Sequence, residues 1–265
     1  MFSIGMLACS ARADIILGSA ANFAILAGTT VTSTGLTVVT GDLGVSPGTA
    51  IVGFPPGVLV GALHSNDGAA SQGEADLTVA YNYLSGVASN VTLSNIDLGG
   101  LTLTSGVYKF DAAADLTGTL TLSGPGTFIF QVGTALTVAN DAAILTIAGA
   151  NASNVYFQIG SSETVGTAAA LEGNIVALQS ISFDTGSSLI GRALAINGAV
   201  TLDDNAIDAG TAAPEPGTFT LFGIALAGVM GWGFNERKAQ ARTARAKTLS
   251  ECANFTSKPD ADPEG

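Results

Sequence analysis

The chain has 265 residues, enough for one large domain or two small ones, and carries 9 Lys and Arg against 21 Asp and Glu, a formal charge of −12. That balance disfavours nucleic-acid binding, which rests on basic patches. Only 11% of residues are charged, against about 25% in ordinary globular domains, yet 47% are hydrophobic, so the chain can build a core and is not compositionally disordered.

Residues 1–13, MFSIGMLACSARA, form an apolar run that closes on Ala11-Arg12-Ala13. This A-x-A ending reads as a secretory signal peptide cut before Asp14, although the usual basic n-region is missing. Cys9 admits a lipoprotein signal as the alternative, with Met6 standing where such signals usually carry Leu. From Asp14 to Ala213 the only basic residues are Lys109 and Arg192, and neither cysteine (Cys9, Cys252) falls in this span. An exported domain without a disulfide depends on its core and its backbone ladder.

Within 14–213 the first landmark is Thr34-Gly35-Leu36-Thr37, followed by GFPPGVLVGALHSNDGAASQG (53–73), which reads as a loop or cap. EADLTVAYNYLSGVAS (74–89) then places Leu77, Tyr81, Leu84 and Ala88 at helical spacing on one face, predicting one amphipathic helix. The remainder is a series of short runs such as LTLTSGVYKF, LTGTLTLSG and ILTIAG. Each alternates apolar residues with Thr or Ser and ends at Gly, Asn or Asp, the pattern of short strands.

These runs repeat. FIFQVGTALTVAN (128–140) aligns with VYFQIGSSETVGT (155–167), ETVGTAAALEGNIVA (163–177) with ISFDTGSSLIGRALA (181–195), and VTLDDNAID (200–208) follows. The later steps, 18 and 19 residues, hold two or three short strands and match one coil of a parallel β-helix. Such coils stack with each strand paired to its equivalents about 4.8 Å above and below. An antiparallel sandwich also accommodates short alternating strands; the in-register repeats favour stacking.

After Pro214-Glu215-Pro216 the chain runs almost uncharged from Gly217 to Phe234 and then meets Arg237 and Lys238, with Arg242, Arg245 and Lys247 behind them. The apolar run is long enough to span a bilayer, and the basic flank obeys the positive-inside rule. Proline pair, helix and basic flank together resemble the PEP-CTERM sorting signal, whose family members are recognised by an exosortase and processed on leaving a Gram-negative cell through its inner membrane. The resemblance implies a secreted or cell-surface protein whose only membrane contact is this helix. It divides the chain into a signal peptide (1–13), a β-helix domain (14–213), the sorting signal (214–238) and a basic tail (239–265) longer than is usual.

Enzymatic chemistry has little to work with. Lys109 and Arg192 are the only cations of the domain, and Arg192 reads as a structural ion-pair residue. Asp184, Asp203 and Asp204 can gather on neighbouring coils, but an acidic cluster without a partner reads as a solvated face. His64, the only histidine, has no Cys or acid at metal-ligand spacing and falls in the expected loop. No Ser-His-Asp or phosphate-loop string is present. The expectation is a protein that is no enzyme and needs neither cofactor nor metal.

Taken together, LGSAANFAILAG, TGDLGVSP (40–47), the helix, GGLTLTSGVYKF (99–110), GTFIFQ (126–131) and GRALA (191–195) resemble the bacterial and fungal ice-binding protein family. The resemblance covers 14–208. It implies a mainly β fold, a discontinuous, three-sided, right-handed parallel β-helix with one α-helix packed alongside, and adsorption to ice that inhibits growth or recrystallisation. It also implies a Thr-Ala/Gly-x-Thr/Asn string on one flat face, matched by Thr34 to Thr37 and by Thr134-Ala135-Leu136-Thr137. Thr185-Gly186-Ser187-Ser188 is a looser version, and Thr167 is in phase with Thr185. Candidate ice-binding residues are therefore Thr34, Thr37, Thr134, Thr137, Thr167, Thr185 and Ser188. In a regular strand, i and i+3 point to opposite faces, so the string requires a bend at its small residue. The alternative reading keeps the same scaffold as a matrix or biofilm adhesin that binds exopolysaccharide and has no ice activity.

Overall fold

The computed structural model describes residues 16–210. The expected signal peptide (1–13), the sorting signal with its apolar run 217–234 and the expected basic tail lie outside the described residues, among which no helix is long and apolar enough to cross a membrane. Strand pairing is parallel in both sheets, and the strands stack into three ladders around one core.

The first ladder is a 7-stranded sheet. Its order is Ala114–Leu116, Leu136–Val138, Glu163–Val165, Ile181–Phe183, Val200–Asp203, Thr30–Thr34 and Ala50–Val52. We call this the threonine face. A second ladder runs from Gly106–Phe110 through Phe128–Val132, Val155–Ile159 and the C-terminal halves of Ala170–Ala177 and Ser188–Ala195 to Phe23–Ala27 and Asp42–Val45. The third runs from Thr119–Ser123 and Ala143–Ile147 through the N-terminal halves of those two long strands to Ala206–Asp208, Val38–Thr40 and Val58–Val60.

Chain order and stacking order differ. The N-terminal coils stack on one another, but not on the coils that begin at Val91. They stack on the C-terminal coil, with Ile25 opposite Ala193, Val31 opposite Val200 and Val38 opposite Ala206. The chain must then travel back along the stack to begin the remaining coils, and a helix α1, Gly68–Gly86, makes that journey. Its 19 residues cover ~28 Å at 1.5 Å per residue, the height of about six coils.

Helix α1 begins with Asp67, whose carboxylate accepts from the Ala70 N–H at 2.9 Å and so satisfies one of the orphan amides of the first turn. Ala70, Gly73, Leu77, Ala80 and Leu84 are its buried residues, and they pack against Phe23, Leu26, Ile129, Tyr156, Val176 and Leu194 of the second ladder. At the other end, Gln131 donates from Nε2 to the carbonyls of Leu84 and Val87, both at 2.7 Å, which satisfies carbonyls the helix leaves free. The second ladder is therefore covered by α1.

Inside the coils, alternate residues of each strand point inward. Tyr108, Phe130 and Phe157 occupy equivalent positions on successive coils and stack, with ring centroids 5.3 Å and 4.6 Å apart. Such cross-strand aromatic pairs stabilise the sheet beyond the area they bury.

Two expectations need correction. The helix starts at Gly68, not at Glu74, because Asp67 caps it and the small residues of its first turn carry no hydrophobic period; Ala88 lies beyond its end. The stretch 53–73 is not all loop: Val58–Val60 and Leu63–Ser65 are strands that end the third and second ladders, and His64 sits on the second of them. The coil length varies as the unequal offsets of the sequence repeats imply. Thr137, Thr164, Ser182 and Thr201 are successive register partners, so one coil is longer than the next two, and the added length holds the turn Ala152–Asn154.

Candidate functional site

Of the three faces, one is covered by α1. The third exposes large aliphatic side chains, Val38, Val58, Val60, Leu145, Ile147 and Ile190, interrupted by Asp208 and Glu172. The threonine face differs from both. Its central outward file reads Asp115, Thr137, Thr164, Ser182, Thr201, Thr32 and Val52 in stacking order, every neighbour a register partner. Between the two end residues all five positions carry a hydroxyl on a strand. Successive hydroxyls thus repeat at the strand spacing of about 4.8 Å, and four of the five are on β-branched side chains with restricted χ1.

A second file flanks it at the corner with the third face. Backbone bonds from Asp141 to Thr167, Ala168 to Thr185, Gly186 to Asp203 and Asp204 to Thr34 stack Asn140, Thr167, Thr185, Asp203 and Thr34. The next residue on each of these coils has positive φ: Asp141 (57°), Ala168 (56°), Gly186 (72°), Asp204 (53°) and Gly35 (70°). This left-handed residue supplies the bend that the i, i+3 string requires. After it the chain turns inward and continues as the third face.

The corner is lined from within by a polar stack. Asn205, almost fully buried, donates from Nδ2 to the Asp184 carbonyl at 2.8 Å and to Ser187 Oγ at 2.9 Å, and its own N–H donates to Thr37 Oγ1 at 3.2 Å. On the outside, Asp203 accepts from the Thr34 hydroxyl at 2.7 Å and from the Thr185 hydroxyl. These two bonds hold the Asp203 carboxyl below the ordinary carboxylate value, so a charge persists on this edge.

The candidate residues are not brought together as one motif. Thr137 lies in the central file; Thr34, Thr167 and Thr185 lie in the corner file. Thr134 is exposed at the opposite corner, where the chain enters the threonine face. Ser188 belongs to the third face, paired with Ala170 and Ala206. Thr37 is 0% exposed and leaves the candidate set: Leu36 is an extra residue at this corner, 73% exposed, and it displaces Thr37 into the polar stack beside Asn205. Three strings that look alike thus occupy two phases of the coil: those at 34–37 and 185–188 both begin in the corner file, whereas the one at 134–137 ends in the central file. Motif matching missed Thr32, Thr164, Ser182 and Thr201. The signal for Thr164 was present, since the alignment of 128–140 with 155–167 sets it opposite Thr137.

Elsewhere the polar residues are structural. Arg192 is buried and donates from Nε to the Ala21 carbonyl at 2.8 Å and from Nη1 to Asn174 Oδ1 at 3.0 Å. His64 pairs through Nδ1 with Asp67 at 2.7 Å. Among the described residues no three His, Cys, Asp or Glu side chains are grouped to hold a metal ion.

Residues 25–208 match the sequence model of the ice-binding-like family, and residues 212–238 match that of the PEP-CTERM protein-sorting motif. An ice-binding protein of a Nostoc species is 49% identical over 197 residues, which cover 72% of this chain and 73% of that one. The crystal structure of an ice-binding protein from the Antarctic ascomycete Antarctomyces psychrotrophicus superimposes with a TM-score of 0.71 at 40% identity, covering 73% of this chain and 97% of that one. An ice-binding protein from an Antarctic biological consortium gives a TM-score of 0.70 at 49% identity over 72% and 89% of the two chains. A mainly parallel β-helix with one helix along it, matched over these lengths at these identities, belongs to the ice-binding-like family and carries a PEP-CTERM sorting motif behind its domain.

Proposed function

We propose that the domain spanning 14–213 is exported and adsorbs to ice through the threonine face, inhibiting growth or recrystallisation. The observation that carries this reading is the unbroken file Thr137, Thr164, Ser182, Thr201 and Thr32 on a face with no covering element among the described residues. Each threonine offers a hydroxyl and a methyl at a fixed spacing, a surface able to hold water in an ordered, ice-like layer. A charged side chain holds its hydration shell too strongly for that. The stacked backbone orders the file before it meets the lattice, so little entropy is lost on adsorption.

The domain acts by adsorption and not by catalysis. The sorting motif around Pro214, Glu215, Pro216, Arg237 and Lys238 engages an exosortase at the inner membrane of a Gram-negative cell and leaves the domain at the cell surface or in the medium. Neither the fold nor the relatives favour the adhesin alternative or exopolysaccharide as a partner. Ice-crystal shaping by the exported protein tests the reading: faceted crystals are expected, and round, unshaped growth at every concentration contradicts it.

A further inference from the structure

Between its end residues, Asn140 and Thr34, the corner file contains one residue out of character. Thr167, Thr185 and Thr34 occupy equivalent positions on three coils, and Asp203 occupies that position on the coil between the last two. Asp203 draws on both of its neighbours. One carboxylate oxygen accepts from Thr34 at 2.7 Å and the other from Thr185. A hydroxyl has a single proton to donate, so both threonines have spent theirs along the file, and only their lone pairs remain for water outside. The carboxylate itself accepts but does not donate, and its charge binds water tightly.

We infer that Asp203 limits the ice-facing surface of this chain, confining adsorption to the central file and holding Thr34 and Thr185 out of it. This rests on the threonine face being the adsorbing one. Among the outward-facing positions of that face's strands the other carboxylate is Asp115, at the end of the stack, where it borders the surface without dividing it, whereas Glu163 points into the core. Asp141, Asp184 and Asp204 stand at the corner, and no hydroxyl of the two files donates to them among the described residues. Asp203 differs from them in occupying a place in the file and in binding the hydroxyls on both sides. The substitution Asp203→Thr would close the gap between Thr185 and Thr34, giving four consecutive coils a hydroxyl at this corner and a second row beside the first.

The test compares the full-length exported protein with Asp203→Thr, Asp203→Asn and Thr164→Tyr, reading thermal hysteresis and the concentration that halves recrystallisation. Asp203→Thr is expected to lower that concentration by about two-fold or more, as a charge that must be desolvated is removed and the Thr185 hydroxyl is released, while Thr34 keeps the Leu202 carbonyl within reach at 3.3 Å. Asp203→Asn keeps the shape and one acceptor oxygen while removing the charge, so it gives a smaller gain and serves if the threonine variant fails to fold. Unchanged or reduced activity in a folded Asp203→Asn protein overturns the inference, and a reduction would make Asp203 a positioning residue for the two threonines. Thr164→Tyr distinguishes a wrong face from a wrong role for Asp203. If it leaves activity intact, the face has been misassigned; if it removes activity while the Asp203 variants gain nothing, the inference alone fails.

Discussion

Thr34 donates its hydroxyl to Asp203 at 2.7 Å across 169 residues of sequence. The contact lies on the seam where the first coils of the chain meet the last. Its backbone partners are Val31 with Val200 and Ser33 with Leu202. Neither end of the domain can complete its ladder alone, because the edge it would present is the partner's surface. Leu202→Ala, at a fully buried seam position, is expected to cost about 2–5 kcal/mol. Hydrogen exchange should then show protection lost together over 23–65 and 188–208. Loss confined to one of these segments would count against a cooperative seam.

A second prediction follows from Glu163. It is 1% exposed, stacked between Leu136 and Ile181, and neither carboxyl oxygen has a hydrogen-bond partner. Burial raises its pKa from 4.5 to about 8, and Glu74 of α1 is raised to about 8 for the same reason. The folded pKa lies above the unfolded one, so the associated stability is complete below pH 4.5 and is lost as pH rises through 8. Over that window each buried acid makes the fold progressively less stable as pH rises. Glu163→Leu should therefore raise the melting temperature at pH 7.5 and bring a much smaller gain at pH 5. An equal gain at both pH values would show that the carboxyl is not the cause.

The corner supplies a reciprocal pair. Ala168 holds φ at 56° where the next coil has Gly186 at 72°. A side chain is strained in this left-handed region, whereas glycine enters it freely. Ala168→Gly is expected to stabilise by ~0.5–1 kcal/mol, and Gly186→Ala to destabilise by ~1 kcal/mol although a Cβ there meets no atom within 4 Å. Denaturant titration of the two variants measures both signs, and a shared sign would refute the conformational account.

Processing at the C-terminus gives a further expected outcome. If the motif at 212–238 directs removal of the apolar run, mass spectrometry of the released protein should find no peptides from 229–247. Their recovery from the medium would mean that the chain leaves the cell unprocessed.

The architecture was legible because the evidence for it is local. Alternating Thr and apolar residues specify strands, and the 18- and 19-residue steps specify coils. Leu77 and Leu84 reveal the helix. The seam was invisible for the opposite reason: Thr34 and Asp203 belong to runs that share no repeat. The site was only partly legible. A one-residue insertion at a corner, such as Leu36, moves the following threonine from the surface to the interior without changing the look of the string. Thr134-Ala135-Leu136-Thr137 and Thr34-Gly35-Leu36-Thr37 therefore match as text and differ as surfaces. The repeat alignment carried more information than the motif, since it sets Thr164 opposite Thr137.

The central claim is that the threonine face meets ice, and Thr164→Tyr tests it most directly. Thr164 stands between Thr137 and Ser182 in the central file, so a ring at that position lifts the face off a flat lattice. Ser188→Tyr, on the third face, is the matched control. Thermal hysteresis of the two variants should show activity largely lost for Thr164→Tyr and retained for Ser188→Tyr. Both should melt within about 0.5 kcal/mol of the parent, as solvent-facing substitutions usually do. Activity retained in Thr164→Tyr and lost in Ser188→Tyr would contradict the account and move the ice-facing surface to the third face.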